Sequence, residues 1–415
     1  MAPLLRAGAG RALPPLAVGV GAPSPLPRRR HGRRSRPSRA SSSSSRGDGA
    51  APHRPEPEYP DAVAGAAERM REEVRRYVSD CRRAGRPPIK LVGVLATTRP
   101  PRPDADGRCA HPADYPDDGD THGNELYSHS IAASCLRDGI SYETWRVDPT
   151  PSRVEAAIGE ANGRDDVHGV LIFHPLALRA GPGGDGGGGG GGTYRCERTG
   201  VRHRTADDYF RDLVRPEKDV EGHRRRGMRG GALRAGPRAG GDDDDGGASS
   251  DDGRSSDAGP IYPCTALAVL RIVELFRPAD WSGDTMTVVN RSEVLGLPLA
   301  AMLSGRGARV LSADDRSVLE FGPGGRVRRT DLSLEECVRA SDVVVSGVPD
   351  PDFRVPTEWI REGSTVINVA SGHGGNFDEG TVGDVPGVTY VPHVGRVTVA
   401  ALQYNLICLH KNYHS

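Results

Sequence analysis

The sequence lacks several features that would place it in a common class of protein. Its seven cysteines include no CxxC pair, which disfavours a disulfide framework and a zinc or other metal site and favours a reducing compartment. It has no run of about 18 apolar residues that could cross a bilayer. Lys plus Arg equals Asp plus Glu, at 55 each, so no overall field recruits nucleic acid. We expect a soluble protein of 415 residues that acts on a small molecule, with no nucleic-acid or membrane partner.

The first 57 residues have the composition of a targeting segment. They contain ten arginines before the first acid, Asp48, together with a run of serines from Ser41 to Ser45. Such an Arg- and Ser-rich, acid-poor segment resembles an organellar transit peptide, for a mitochondrion or a plastid. The alternative is a disordered basic tail on a cytosolic protein. In either case residues 1–57 lie outside the predicted fold.

Strands and helices alternate along the rest of the chain. Apolar residues recur at helical spacing from Val63 to Cys81, and the strand KLVGVLA follows at Lys90–Ala96. The strands SYETWRV and VHGVLIFHP come next, each preceded by a helical segment. This alternation predicts a parallel sheet. A glycine run from Gly181 and a basic, then acidic, stretch up to Gly259 cannot bury enough apolar surface to offset the entropy of ordering, which predicts disordered loops.

The segment VVNRSEVLGLPLAAMLSGRGARVLSADD has the pattern of a nucleotide-binding unit, strand, turn, helix and strand, but lacks the usual three-glycine turn. Its first strand delivers three polar residues to the helix N-terminus: Asn290, Arg291 and Ser292. There the free N–H groups and the helix dipole can hold a pyrophosphate, and a guanidinium and a hydroxyl can add donors. Gly296 opens the helix, and Asp314 ends the second strand, where an acid can accept both ribose hydroxyls and repel a 2′-phosphate. The pattern favours NAD over NADP, the alternative being a βαβ unit with a surface Arg and Asp.

These segments predict an α/β protein of two lobes, an N-terminal substrate lobe and a C-terminal Rossmann-type lobe with a parallel sheet, with a substrate cleft between them. The predicted boundaries are 58–222 for the first lobe with insertions at 97–121 and 178–204, 223–259 for a disordered insertion, 260–395 for the NAD-binding lobe, and 396–415 for a C-terminal helix packing back on the first lobe.

Five motifs resemble those of the methylenetetrahydrofolate dehydrogenases and occur in that family's order. They are VVNRSEVLGLPLAAML from Val288, KDVEG at Lys218–Gly222, YPCTALAVLRIVE at Tyr262–Glu274, SDVVVSGVP at Ser341–Pro349 and VPHVGRVTVAAL at Val391–Leu402. Apart from the insertions, they span residues 62 to 410.

Departures from the family pattern make the chain most similar to the monofunctional, NAD-dependent branch known from yeast. Bifunctional dehydrogenase/cyclohydrolases carry a Lys four residues after a Tyr, whereas Tyr127 is followed at that spacing by Ile131. Phe173 replaces the usual Gln of QLP, Glu221 the second Asp of KDVDG, and Asn290 the Gly of GRS. The missing Lys and the changes at 173 and 221 remove groups associated with hydrolysis of the methenyl product. The resemblance therefore implies dehydrogenation alone.

The implied reaction transfers a hydride from the one-carbon bridge of 5,10-methylenetetrahydrofolate to NAD. The folate nitrogens stabilise the developing cation, so catalysis needs two rings positioned face to face rather than a strong base. The family also implies a homodimer formed through the nucleotide-binding lobe. Two other hypotheses stay open: a bifunctional dehydrogenase/cyclohydrolase, and a non-catalytic NAD-binding scaffold.

The resemblance implies roles for individual residues. Tyr127 and Phe173 would lie against the folate, with Asp219 and Glu221 binding it and Glu221 accepting pterin N–H groups. Cys264 stands where this branch has a suggested active-site cysteine, at a helix N-terminus that lowers a thiol pKa, with packing or substrate contact as the alternative. Core or solvated positions are the alternatives for Tyr127 and Glu221. The other residues near the cleft are His174 and His393, expected to be structural, and the coenzyme contacts Asp315, Gly347, Val348, Pro349, Gly395 and Thr398.

Overall fold

The computed structural model describes residues 61–98, 122–176, 178, 193–196, 198–223, 261–277, 280–370 and 375–415. The predicted transit peptide, the glycine run and nearly all of both insertions at 97–121 and 223–259 lie outside the described residues. All described elements belong to one compact unit, Glu56–Ser415.

The first lobe is built on a three-stranded parallel sheet in the order β2-β1-β3. Its elements are α1 (Asp61–Arg83), β1 (Lys90–Ala96), α2 (His122–Asp138), β2 (Ser141–Val147), α3 (Pro151–Gly163), β3 (Gly169–Ile172), β4 (Tyr194–Arg195), β5 (Arg202–His203) and α4 (Ala206–Leu213). β4 and β5 form a small antiparallel hairpin inside the predicted 178–204 insertion. The N-terminus of α4 follows this hairpin directly, and the Thr205 hydroxyl caps it by accepting the Asp208 N–H.

The lysine of the KDVEG motif stabilises the first lobe. Lys218 is buried, and its Nζ donates to the carbonyl oxygens of Ala161, Asn162 and Arg164 at 3.1, 3.0 and 2.6 Å. These are carbonyls that the end of α3 leaves without intrahelical partners, so a cation is favourable there. Lys218 therefore ties the motif to α3.

The second lobe is a seven-stranded sheet in the order β12-β11-β10-β6-β7-β8-β9. Its elements are α5 (Cys264–Phe276), β6 (Thr285–Val289), α6 (Gly296–Gly305), β7 (Arg309–Ala313), β8 (Val318–Gly322), β9 (Arg326–Thr330), α7 (Leu334–Arg339), β10 (Val343–Ser346), β11 (Thr365–Asn368), β12 (Thr389–Val391) and α8 (Gly395–Tyr413). Five strands are parallel, whereas β8 and β9 extend the sheet as an antiparallel hairpin. Short 3₁₀ turns lie at Pro216–Lys218, Pro323–Gly325, Thr357–Trp359 and Val382–Asp384.

A layer of three helices joins the lobes. The last helix, α8, packs against both α1 and α5, and one continuous apolar core runs from Val63 on α1 to Leu409 on α8. Polar contacts reinforce this packing where α8 ends: His410 Nδ1 lies 2.9 Å from the Tyr77 hydroxyl, and the His410 and His168 rings are 4.8 Å apart. The lobes therefore share a core.

The α/β class, with a parallel sheet at the centre of the second lobe, is confirmed. β1 and β2 occupy the segments that the apolar pattern indicated, whereas neither β-hairpin was predicted. Among the described residues, no helix is long and apolar enough to cross a membrane.

Candidate active site

The carboxyl ends of the two sheets meet where an inserted arginine contacts the nucleotide-binding lobe. After β3, His174 Nδ1 lies 3.1 Å from Asp207 Oδ1 at the start of α4. Just before α4, Arg204 Nη1 lies 3.0 Å from Oε1 of Glu293, which follows β6. Ligands of open α/β sheets bind beyond the carboxyl ends of the strands. This junction is therefore the candidate active site.

Glu221 sits at this junction because the KDVEG segment runs beside β3. Val170 forms a parallel bridge with Asp219, and Gly222 turns the chain with φ 66°. A Cβ at Gly222 would lie 2.8 Å from the backbone of Tyr262, so only glycine allows this close approach. The Glu221 carboxyl is largely buried. Burial, with a smaller effect from Asp219, raises its pKa to about 8.

Tyr127 and Phe173 form an aromatic wall beside Glu221. Their ring centroids are 6.0 Å apart with an interplanar angle of 84°, an edge-to-face contact. Gly93 on β1 makes room for this wall, because a Cβ there would lie 2.8 Å from the Phe173 ring. Burial, followed by the effects of Cys264 and Glu221, raises the pKa of Tyr127 well above its usual value. Tyr127 is therefore a neutral phenol beside the predicted folate ligands.

Cys264 joins this group, but not as an activated thiol. It begins α5, its Sγ lies 3.7 Å from the carbonyl oxygens of Val220 and Glu221, and its N–H donates to the Glu221 carbonyl at 3.2 Å. Burial, followed by the nearby Glu221 and Asp219, raises its pKa well above the usual value. The expected lowering by the helix N-terminus is wrong, because loss of hydration outweighs the dipole at a fully enclosed thiol.

The turn between β6 and α6, residues 290–296, is the predicted coenzyme turn, and it keeps its shape without three glycines. Asn290, where the family has Gly, takes the left-handed φ of 86°, a conformation that Asn tolerates better than most residues. Its Nδ2 donates to the Gly347 carbonyl at 2.6 Å, which ties the turn to the loop after β10. A Cβ at Gly296 would collide with the Asn290 carbonyl, so this glycine is required. Ser292 Oγ accepts the N–H groups of Leu295 and Gly296, and the Ser292 carbonyl accepts the Leu297 N–H, so the N–H groups expected to be free for a pyrophosphate are bonded within the turn.

Arg291 and Asp314 bind each other. The guanidinium donates to the Asp314 carboxylate at 2.7 Å and, through its other N–H groups, to both the hydroxyls and the carbonyls of Ser312 and Ser317. All five of its N–H donors are engaged, which differs from the expected contact with a pyrophosphate. Burial raises the pKa of Asp314, but hydrogen bonds from the backbone N–H groups of Arg316 and Ser317, together with the Arg291 charge, have a larger opposite effect. The net pKa is below the usual value, so the carboxyl is ionised. Arg291 holds the acid at the end of β7.

Buried asparagines that the sequence reading missed hold the second coenzyme loop. Asn376 Oδ1 accepts the Val348 N–H and the Ser346 hydroxyl, each at 2.8 Å, and its Nδ2 donates to the Val348 carbonyl. Asn368, at the end of β11, accepts the Asn376 N–H and donates to the Pro392 carbonyl. The signal in the sequence was an amide residue at the end of the strand TVIN, where it can satisfy backbone groups of neighbouring loops.

The remaining predicted contacts surround this loop. Gly347 leaves room for Leu295, whose Cδ2 would be 3.0 Å from a Cβ, and Pro349 is exposed. Gly395 begins α8 with open space where a side chain would be, and the Thr398 hydroxyl is buried and donates to the Val394 carbonyl. Asp315 is largely exposed in the turn after β7, beside Arg316, and His393 is half-buried after β12.

Comparisons with known proteins agree with this geometry. Residues 263–414 match the family model "Tetrahydrofolate dehydrogenase/cyclohydrolase, NAD(P)-binding domain". A protein of Dictyostelium discoideum named as an NAD(+) methylenetetrahydrofolate dehydrogenase is 31% identical over 306 residues, covering 71% of this chain and 83% of the relative. One of the same name from Schizosaccharomyces pombe is 30% identical over 299 residues, covering 68% and 80%.

Among solved structures, the NAD-dependent 5,10-methylenetetrahydrofolate dehydrogenase of Saccharomyces cerevisiae superimposes with a TM-score of 0.61 at 27% identity, covering 84% of this chain and 95% of the other. The five motifs, the two-lobed fold and these similarities lead to one conclusion. The chain belongs to the methylenetetrahydrofolate dehydrogenase family.

Proposed function

We propose that the protein oxidises 5,10-methylenetetrahydrofolate to 5,10-methenyltetrahydrofolate with NAD. One observation carries this proposal: a buried carboxyl, Glu221, lies beside the Tyr127 and Phe173 wall at the junction of the substrate lobe with a coenzyme-binding lobe. The relatives named above as NAD(+) methylenetetrahydrofolate dehydrogenases support the same reaction.

The substrate-lobe residues bind and orient the pterin. Glu221, as a carboxylate, accepts the N–H groups of the pterin edge, and the aromatic wall covers one face of the folate rings. Cys264 contributes a neutral thiol that fixes the turn carrying Glu221 through its contacts with the carbonyls at 220 and 221. No residue of this group has to remove a proton, since the reaction moves a hydride.

The turn after β6 fits the coenzyme. The obligatory Gly296 and the left-handed Asn290 give this turn a tight backbone, and the dipole of α6 favours an anion such as a pyrophosphate beside the helix N-terminus. Asp314, held by Arg291, is the acceptor for the adenosine ribose hydroxyls and repels a 2′-phosphate. NAD, when bound there, supplies the hydride acceptor; the chain supplies orientation and excludes water.

A steady-state assay of the fragment starting near Ala62 tests this function. NAD reduction that depends on 5,10-methylenetetrahydrofolate is the expected result, with a lower kcat/KM for NADP. NAD binding in calorimetry without any turnover at saturating folate would instead favour the non-catalytic scaffold.

We further propose that the enzyme has no cyclohydrolase activity. Ile131, at the position of the family's lysine, is fully buried in the apolar core, and Phe173 presents carbon where the family has an amide. Neither side chain can activate water or protonate the folate nitrogen. The methenyl product should therefore be hydrolysed in the assay no faster than in buffer alone. Faster hydrolysis that a Tyr127→Phe change abolishes would identify a bifunctional enzyme.

A homodimer formed through the second lobe is also proposed. β9 is one of the two edge strands of the seven-stranded sheet, and Val327 on it is 50% exposed. An exposed sheet edge is a ready site for strand pairing. Sedimentation analysis should show a dimer that Val327→Lys weakens; an unchanged monomer would refute it.

For the N-terminus we propose organellar targeting by residues 1–57, supported by its ten arginines before Asp48. Fusing these residues to a fluorescent protein should direct it to a mitochondrion or plastid, whereas diffuse cytosolic fluorescence would contradict targeting.

A further inference from the structure

Arg204 makes a contact across the lobes that the proposed reaction does not account for. It ends the inserted segment 178–204, directly after the β4–β5 hairpin, and is 61% exposed. Its Nη1 lies 3.0 Å from Glu293 Oε1 in the coenzyme turn, and its Nε lies 3.4 Å from Asp208 Oδ2 on α4. One guanidinium thus connects the substrate lobe with the turn that precedes α6.

Both ends of this contact are firmly attached. Asp208 is buried, its carboxylate accepts a hydrogen bond from Arg211 at 3.1 Å, and its N–H donates to Thr205. On the other side, Glu293 directly follows two fixed residues of the coenzyme turn, the fully engaged Arg291 and Ser292, whose hydroxyl accepts the Leu295 N–H. A change in the distance between Arg204 and Glu293 therefore moves α4 relative to the coenzyme turn.

We infer that the Arg204–Glu293 ion pair is a latch that sets the separation of the two lobes, with Arg204 a positioning residue for the coenzyme turn. The effect on turnover rests on the proposed function, because folate and NAD would bind on opposite lobes and hydride transfer depends on their spacing to about 1 Å. The effect on coenzyme binding does not. Since Arg204 is exposed, the latch weakens at high ionic strength.

Charge exchange tests the latch. Arg204→Glu should weaken NAD binding about 2- to 5-fold in calorimetry at low salt, the range of an exposed ion pair. In a Glu293→Arg background the same change should strengthen NAD binding by a similar factor, because the pair is restored in reverse. The kcat for the folate substrate should follow the same pattern, and about 0.5 M salt should reduce all these differences.

Arg202→Glu is the matched control, since it makes the same charge change at an exposed position of the same hairpin. Arg202→Glu should change the NAD affinity by the same small factor with and without Glu293→Arg. Equal losses from Arg204→Glu with and without Glu293→Arg would overturn the latch, and so would no loss in either. Arg204→Gln, compared with and without Glu293→Gln, repeats the test without charge reversal if the first variant unfolds. Because calorimetry measures NAD affinity directly, it tests the latch even if the protein oxidises no folate.

Discussion

Replacing Glu221, the buried acid of the proposed folate site, should make the protein more stable while weakening substrate binding. In the folded chain the pKa of Glu221 is raised to about 8, against 4.5 for a free side chain, chiefly because the carboxyl is buried. The protonated form is thus favoured by folding. Glu221→Gln keeps the shape of that neutral form and cannot ionise.

The sign follows from which state holds the proton. Below pH 4.5 both the folded and the unfolded chain are protonated at Glu221, so ionisation costs nothing. As the pH rises towards 8, the unfolded chain ionises first and the folded chain loses stability. The loss is about 1 kcal/mol at pH 5 and about 3 kcal/mol at pH 7, from about 1.36 kcal/mol per pKa unit. Glu221→Gln should remove that loss, so its advantage should grow with pH.

Substrate binding should show the opposite trend. At pH 7 about nine-tenths of the Glu221 side chains are protonated in the free protein, if the pKa is about 8. Because the pterin N–H groups require a carboxylate, KM for the folate should fall about tenfold per pH unit up to pH 8 and then level off. The Glu221→Gln variant should have a high KM that does not change over this range.

Denaturant titrations of both proteins at pH 5 and pH 7, with folate KM profiles from pH 6 to 9, measure both effects. Glu362→Gln, at an exposed position, is the control for a surface amide and should change neither quantity. If the stability gain from Glu221→Gln is the same at both pH values, burial does not control this carboxyl.

Three other outcomes are expected. Asp314→Ser frees an N–H of Arg291 and removes a negative charge, so the ratio of kcat/KM for NADP to that for NAD should rise about tenfold, and an unchanged ratio would mean that the acid points away from the ribose. Cys264→Ala should keep kcat within about threefold and cost about 1–2 kcal/mol of stability in denaturant, whereas lost turnover would implicate the thiol in catalysis. Burial lowers the pKa of His168 and His410 from 6.5 to about 4, so the unfolded chain takes up protons first as the pH falls below 6.5. Denaturant titrations at pH 5 should therefore show about 2 kcal/mol less stability per histidine than at neutral pH. His168→Asn should reduce this loss.

The pattern of apolar residues predicted the first sheet and the parallel centre of the second, where buried strands are short apolar runs between turn residues, but not β8 or β12. It missed β9, whose sequence RVRRT is an exposed edge strand with three arginines and no buried residue. It also missed β4 and β5, each only two residues long and placed beside a glycine run. Strands of this kind are stabilised by pairing with a neighbour, which a local pattern does not contain.

The sequence suggested candidate site residues but not their partners in the structure. Motifs selected Glu221, Tyr127 and Cys264, but the rise in the Cys264 pKa depends on burial and on acids of the KDVEG segment, more than 40 residues away. Likewise, the direction of the Arg291 side chain is set by the carbonyls of Ser312 in β7 and Ser317 in the turn after it, 21 and 26 residues away. A motif gives the residue type at a position, whereas its pKa and its hydrogen-bond partners follow from tertiary packing.

In the coenzyme turn, side chains hold the backbone conformation that a glycine-rich turn would otherwise adopt. A glycine-rich turn gives conformational freedom, which folding must then restrict at an entropic cost. Here only Gly296 is sterically required; Asn290 accepts the left-handed backbone and adds a hydrogen bond to the loop after β10. Arg291 in turn fixes the end of β7, and the buried Asn376 holds the loop at Val348. The two loops are therefore bound to each other and to the sheet by the chain's own side chains, which lowers the ordering cost of binding and holds Asp314 in the position that the proposed choice between coenzymes requires.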